Sequence, residues 1–284
     1  MKIRIILSLL VTLILIVFFV KSEEALVFSL EEPEIQFSEN ALFYYPLFKN
    51  VKDVSGHFGS LVYYEKSHFS KGGFELTGTT VDSIVFAYEE ALKLNPKDDF
   101  TFSMWIQPKK SEEPIGHRLQ NLVYWAADSK PTLPRVSIWF DEESRGLHIN
   151  CQSLRFNLPL EQETLFSQPI QITLIVSKPN RLLELYIDGT LKRRFVFNFD
   201  DYPDAAIFQI AQGRAPLTGK TAVYSNIEMW DRRLRDTEIQ QVFDARKAFF
   251  AKLNTQRTLF RWIFLLSIFG VLLLVWKKKK TRPF

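Results

Sequence analysis

The chain has 284 residues, 46% hydrophobic, 24% charged and 14% aromatic, with 26 Phe and only 11 Gly. That composition suits one folded domain plus extra apolar segments, favours a β-rich core, and excludes collagen-like and linker-like chains. The formal net charge of +4 does not mark a nucleic-acid surface: all 32 Asp and Glu lie between residues 23 and 258, where 27 Lys and Arg leave a net −5, and the other nine basic residues flank the apolar ends.

The N-terminus reads MKIRIILSLLVTLILIVFFVKSEEA, with Lys2 and Arg4 ahead of an uncharged apolar run of 16 residues from Ile5 to Val20, interrupted only by Ser8 and Thr12. Residues 1–22 therefore read as an export signal or an N-terminal membrane anchor. The run is long for a signal peptide and short for a span, and both outcomes stay open. Residues 23–40 are acidic with some alternation and read as a stalk or an edge strand.

Short strand patterns follow at 41–48, 73–78, 82–87, 100–108, 121–127, 135–141, 147–152, 170–177, 182–189, 193–199, 206–211 and 222–230. Alternation with period two is clearest in FTFSMWI and LELYIDG. Turn signals separate the runs, among them Ser55-Gly56, Gly72-Gly73, Asn95-Pro96 and Asp188-Gly189. In FTFSMWIQ, Phe100, Phe102, Met104 and Ile106 take one face, and Thr101, Ser103, Trp105 and Gln107 the other. A dozen such strands imply an all-β fold, a two-sheet antiparallel sandwich. The single cysteine, Cys151, sits in a strand-like run and reads as a buried small residue; it allows no intrachain disulfide.

Helical periodicity appears at 236–253 and again at 89–94. Asp236 is placed to act as N-cap, with Glu238 in the first turn, and Ile239, Val242 and Phe243 face back toward the sandwich. Residues 244–258 form a helical linker. Residues 259–276 (LFRWIFLLSIFGVLLLVW) then give 18 positions with one charge, Arg261, and read as a transmembrane helix with Trp262 and Trp276 at its two interfaces. The tail 277–284 carries Lys277, Lys278, Lys279, Lys280 and Arg282, a stop-transfer cluster that stays cytoplasmic. These signals place the main domain on the extracytoplasmic side of a cell membrane, the periplasm in a bacterium with an inner and an outer membrane. Both termini are then cytoplasmic if the N-terminal segment is retained.

Five segments in order carry a family resemblance. They are ALFYYPLFKNVKDVSGHFGSLV with its Asp53-Val54-Ser55-Gly56 turn, KGGFELTGTTVDSIVF, FTFSMWIQP, LLELYIDGTL, and MWDRRLRDTEI. Together residues 41–243 resemble the laminin G-like, concanavalin A-like jelly roll in its pentraxin-related form, here as a membrane-anchored bacterial member. The resemblance implies a closing strand and short helix for residues 225–243. It also implies a calcium site near the Asp53 turn in many members. In this chain Asp53 remains, Ser225-Asn226 stands where an acidic pair is frequent, and Asn226 is the weaker partner. Calcium needs six to eight oxygens, and six cannot be named.

The fold also hosts glucanases, which need two carboxylates at alternate strand positions; no such Glu-x-Asp-x-Glu pattern occurs. His57, His68, His117 and His148 are scattered, with no nucleophile or metal spacing beside them. The expectation is a non-catalytic, membrane-tethered recognition module for a polysaccharide or glycoprotein. Trp105, Tyr124, Trp125 and Trp139 are its candidate aromatic platforms. The alternative is a protein-interaction or scaffold subunit of a cell-envelope or exopolysaccharide export complex. The two membrane segments and the apolar end of the 237–253 helix, with Phe249, Phe250 and Leu253, motivate it.

Overall fold

A computed structural model of the chain describes residues 40–48, 50–63, 68–70, 72–76, 84–85, 99–108, 119–126, 136–141, 146–151, 154–160, 168–196, 207–210 and 222–280. The N-terminal segment 1–22, the stalk up to residue 39 and the expected helix at 89–94 lie outside these residues. Its strands are β1 (Phe43–Tyr45), β2 (Val62–Tyr63), β3 (His68–Ser70), β4 (Gly73–Leu76), β5 (Ile84–Val85), β6 (Asp99–Pro108), β7 (Leu119–Ala126) and β8 (Val136–Asp141). They continue as β9 (Gly146–Cys151), β10 (Leu154–Pro159), β11 (Ile170–Ser177), β12 (Leu182–Ile187), β13 (Thr190–Val196), β14 (Ile207–Ile210) and β15 (Ala222–Trp230), and one helix, α1 (Asp236–Lys280), follows.

All pairings are antiparallel and build two sheets. One runs β13-β12-β11-β6-β15-β4-β3, with β1 also on β15; the other runs β10-β9-β8-β7-β14-β5-β2. The expected two-sheet antiparallel sandwich is present. Three strands, β2, β3 and β10, go beyond the expected set. One compact unit runs from Glu34 to Asp244, and α1 from Ala245 onward belongs to a second.

The period-two pattern explains the core. Phe100, Phe102, Met104 and Ile106 of β6 join Ile172, Leu174 and Val176 of β11 and Leu183 and Leu185 of β12. Val123, Trp125, Ile138, Phe140, Leu147 and Ile149 come from the facing sheet. Each such side chain contributes about 1.5–3 kcal/mol on burial. Cys151 is buried in the same cluster and forms no disulfide.

The outward face of the central strands of the eight-stranded sheet is also buried, and polar side chains share it with Trp105 and Ile175. Ser103 and Thr173 lie 3.0 Å apart, and Gln171 Nε2 donates to Ser103 Oγ at 3.2 Å. The first turns of α1 lie over this face, with Ile239, Val242 and Phe243 all buried. The Phe243 ring stacks on Trp105, 5.6 Å away with planes 1° apart. Asp188 and Gly189 turn the β12–β13 hairpin with φ of 51° and 72°, the left-handed pair that an Asp-Gly hairpin supplies. A Cβ on Gly189 would meet Gln240 Oε1 at 2.8 Å, so the same glycine admits the helix.

The start of α1 differs from expectation. Asp236 is the first helical residue and not the cap. The carbonyl of Arg235 accepts from Glu238 N at 2.9 Å and Ile239 N at 3.0 Å, while Glu238 Oε2 accepts from Arg235 N at 2.8 Å. This is half of a capping box, with the first-turn glutamate reaching back to the cap residue's own N–H. Asp236 is instead engaged by Tyr186, whose hydroxyl donates to it at 2.8 Å. Burial, and then this bond, hold the Tyr186 proton on well above the usual phenol range.

The helix is continuous through residues 244–258 and on to Lys280. Among the described residues no helix is long and apolar enough to cross a membrane. Of the expected span, 259–276, side chains are described only as far as Gly270. Those of Lys277 to Lys280 lie outside the described set, and so does Arg282.

Candidate functional site

The outward face of the seven-stranded sheet is where polar and aromatic side chains meet with exposure. Register places Tyr124, Ser137, Asn150 and Arg155 in one row across β7, β8, β9 and β10. It places Trp139, His148 and Asn157 in a neighbouring row. Alternation sends Trp125, Ile138, Phe140 and Ile149 the other way, into the core. Trp139 and His148 stack, with ring centroids 5.5 Å apart and planes 2° apart. Directly opposed aromatic side chains on antiparallel strands favour such contacts.

Trp139, His148 and Asn150 are half-buried, and Arg155 and Asn157 are exposed. Asn157 lies against Gly146, where any Cβ would collide with its side-chain amide. The face therefore offers a flat π surface, a ring nitrogen, two amides that both donate and accept, and a guanidinium. Such a set holds a sugar ring by its apolar face and its hydroxyls by hydrogen bonds. Among the described residues no three His, Cys, Asp or Glu gather in a metal-holding group.

The other aromatic candidates are placed differently. Trp125 is 1% exposed and packs edge-on against Phe100 at 5.2 Å. Trp105 is 4% exposed beneath Phe243. Tyr124 shares the outward face with Trp139 but is 7% exposed. Of the four, Trp139 alone presents an accessible surface; Trp105 is packed beneath Phe243 on the larger sheet, Trp125 faces the core between the sheets, and Tyr124 is buried on the smaller sheet's outward face.

Asp53 and Asn226 are brought together through one residue. Tyr44 N donates to Asp53 Oδ1 at 2.7 Å, and Tyr44 Oη donates to Asn226 Oδ1 at 3.0 Å. Asp53 also accepts from Ser55 N at 3.1 Å, Ser55 Oγ at 2.6 Å, His57 N at 3.0 Å and Phe58 N at 2.9 Å. Those donors, with Tyr44 N, occupy the roughly four lone-pair sites of a carboxylate. Asn226 sits in the β15 bulge with φ of 47°, and its N–H donates to Pro46 O at 3.0 Å. These residues do not fit a calcium cage. Asp53 ties the Asp-x-Ser-Gly turn together, and Gly56 completes it with φ of 79°.

Asn150, Arg155 and Asn157 are not singled out by the sequence, and His148 reads there only as one of four scattered histidines. The alternation Leu154, Phe156, Leu158 against Arg155, Asn157, Pro159 was the available signal for β10, masked by its closing proline. His148 carries no motif; only the register sets it beside Trp139.

No family model matches the chain. No curated protein matches it either. Solved structures do. One titled for the dependence of botulinum neurotoxin type C cell entry on two ganglioside molecules aligns with TM-score 0.60 at 13% identity, covering 74% of this chain and 52% of the other. The binding domain of botulinum neurotoxin DC, solved with rat synaptotagmin II, aligns with TM-score 0.56 at 13% identity over the same shares, 74% and 52%. A Trypanosoma rangeli sialidase, solved with a difluoro-nononic acid, aligns with TM-score 0.57 at 16% identity, covering 82% of this chain and 39% of that enzyme. The chain thus spans about half the length of the neurotoxin domains. At these identities the likeness is one of fold: a jelly-roll, concanavalin-like sandwich of two antiparallel sheets.

Proposed function

We propose that this chain is a membrane-tethered, extracytoplasmic recognition module that binds carbohydrate without catalysis, a laminin G-like member of its fold. The observation that carries the reading is the Trp139–His148 stack on an outward face lined by Asn150, Asn157 and Arg155. The neighbours lend support by analogy, since one enters cells in dependence on two ganglioside molecules and another is a sialidase in complex with a difluoro-nononic acid. The sialidase is matched over only 39% of its length, so the likeness carries no enzyme chemistry here.

The tether rests on the apolar run 259–276 and its basic tail at 277–282. Leu259, Trp262, Ile263, Leu265, Leu266 and Phe269 of α1 are between 53% and 66% exposed. A helix with that much apolar surface in water is out of place, and a bilayer covers it. Lys277 to Lys280 and Arg282 then lie on the cytoplasmic side of the inner membrane.

The test is a glycan and polysaccharide screen on the full chain in detergent, repeated with Trp139→Ala and His148→Ala. Binding that both substitutions abolish supports the reading; binding that neither alters moves the site elsewhere. A scaffold subunit of an envelope complex is the second reading. The same exposed apolar side chains of α1 favour it, since a partner helix covers them as well as lipid does. Crosslinking in membranes that recovers no stable protein partner removes it.

A further inference from the structure

We infer that the bound glycan is an inner stretch of a flat, ribbon-like chain laid across strands β7 to β10, and not a chain end; this rests on the carbohydrate reading above. The row that carries Trp139, His148 and Asn157 has a fourth position, Asn121 of β7, the register partner of Trp139. Neighbouring strands lie about 4.7–4.9 Å apart, so the row spans roughly 14–15 Å from β7 to β10. A hexose in an extended chain advances by close to one strand spacing, and the row therefore takes about three consecutive sugars.

The row is open at both ends. Strand β10 is the edge of its sheet, so no described strand stands beyond Asn157. On the other side β14 pairs with β7 only from Val123 to Ala126 and stops short of Asn121. A site that reads a chain end needs a wall to stop the chain, and among the described residues the row has none. Gly146 lies on the same face of β9, two residues before His148. A Cβ there would displace the Asn157 amide, so the bare glycine seats that amide at the end of the row.

The ligand's shape follows from the rings. The Trp139 and His148 planes are 2° apart. Two parallel rings accept sugars whose mean planes are also parallel, as successive units of a cellulose-like ribbon are. In a coiled chain such as amylose each unit turns away from the last, and one ring loses its contact. Cross-strand aromatic pairs also stabilise a sheet. That role needs only β8 and β9, and it leaves the asparagines unexplained. Asn is disfavoured in strands, yet Asn121 and Asn157 end the row and Asn150 stands in the next one. An amide both donates and accepts, which matches a sugar hydroxyl.

The experiment is titration calorimetry on the full chain in phosphatidylcholine nanodiscs, with cellobiose, cellotetraose, cellohexaose and maltohexaose as probes. Expected is an affinity that rises about tenfold or more from cellobiose to cellotetraose and levels off by cellohexaose, with maltohexaose weaker than cellohexaose by about tenfold or more. Borohydride reduction of the cellohexaose end should leave its affinity unchanged, since no end is read. Asn157→Ala should weaken cellohexaose by about threefold or more and leave cellobiose nearly unaffected, because it removes only the end of the row. Asn157 is exposed, and unchanged thermal unfolding of the variant separates a lost contact from lost folding. Cellobiose bound as tightly as cellohexaose, or cellohexaose binding lost on reduction, makes this a site for short sugars or chain ends and overturns the inference, with the carbohydrate reading intact. Equal binding of maltohexaose and cellohexaose overturns the flat-chain specificity. Failure of all these probes while the broader screen finds another glycan overturns the inference alone; failure with no glycan found overturns both.

Discussion

Glu184 and Arg233 form the ion pair that links the hairpin sheet to the start of α1. The Glu184 side chain is completely buried, and Arg233 Nη2 lies 2.8 Å from its Oε2 while Arg194 holds Oε1. Both arginines keep part of their surface in water, at 34% and 49% exposure, and the carboxylate has none. The asymmetry decides which partner matters: a buried carboxylate stripped of a donor has no water to replace it.

Arg233→Ala should therefore lower stability by about 2 kcal/mol, a figure discounted for the exposure of the arginine. Glu184→Gln, which keeps the shape and removes the charge, should cost less. Urea unfolding of both variants, followed by near-ultraviolet circular dichroism, gives the order directly. The reverse order would mean that the pair does not hold the sheet to the helix.

Acid should weaken the same junction through Glu238. The Arg232 guanidinium, bonded to both of its oxygens at 3.1 Å, and the Arg235 N–H hold this carboxyl down to about 2 from an ordinary 4.5. A depressed folded value means stabilisation that is complete above about 4.5 and lost as pH falls toward about 2. Glu238→Gln should lose about 2 kcal/mol at pH 7 and flatten the fall of stability between pH 5 and pH 2. Matched denaturant curves at those pH values check the sign.

Two glycines with positive φ should respond unequally to alanine. Gly73 has φ of 148°, and a Cβ there would run into the backbone carbonyl of Tyr224. Gly56 has φ of 79° with open space around it. Gly73→Ala should prevent β4 from docking on β15 and cost at least about 3 kcal/mol, while Gly56→Ala should cost about 1 kcal/mol, the strain of the turn alone. Thermal unfolding of the two variants distinguishes clash from strain.

The three packed aromatics and the exposed one should separate cleanly. Trp125→Ala and Trp105→Ala should each cost about 3–5 kcal/mol, since each empties a filled site. Trp139→Ala should cost under about 1 kcal/mol while removing glycan binding. A Trp139→Ala variant that unfolds like the other two would place that ring in the core.

Much of the architecture was legible in the chain. Strict alternation in FTFSMWI sent Phe100, Phe102, Met104 and Ile106 inward, and Asp188-Gly189 named its hairpin, because pleat and turn chemistry are local properties. The helix after Trp230 was equally plain, although its cap was not: Arg235 caps through its backbone and the reach of Glu238, so no Ser, Thr, Asp or Asn marks the position. Burial of both faces of β6 was not legible, since only the docking of α1 turns Trp105 from a surface aromatic into a packed one. Asp53 shows the same division. Its turn was visible as Asp-x-Ser-Gly, yet whether its oxygens face an ion or five protein donors depends on Tyr44 arriving from β1. The candidate site depends most on tertiary structure. Trp139, His148 and Asn157 become neighbours only by strand register across β8, β9 and β10. Local sequence determines which way a side chain leaves its strand; pairing across strands and sheets determines what it meets.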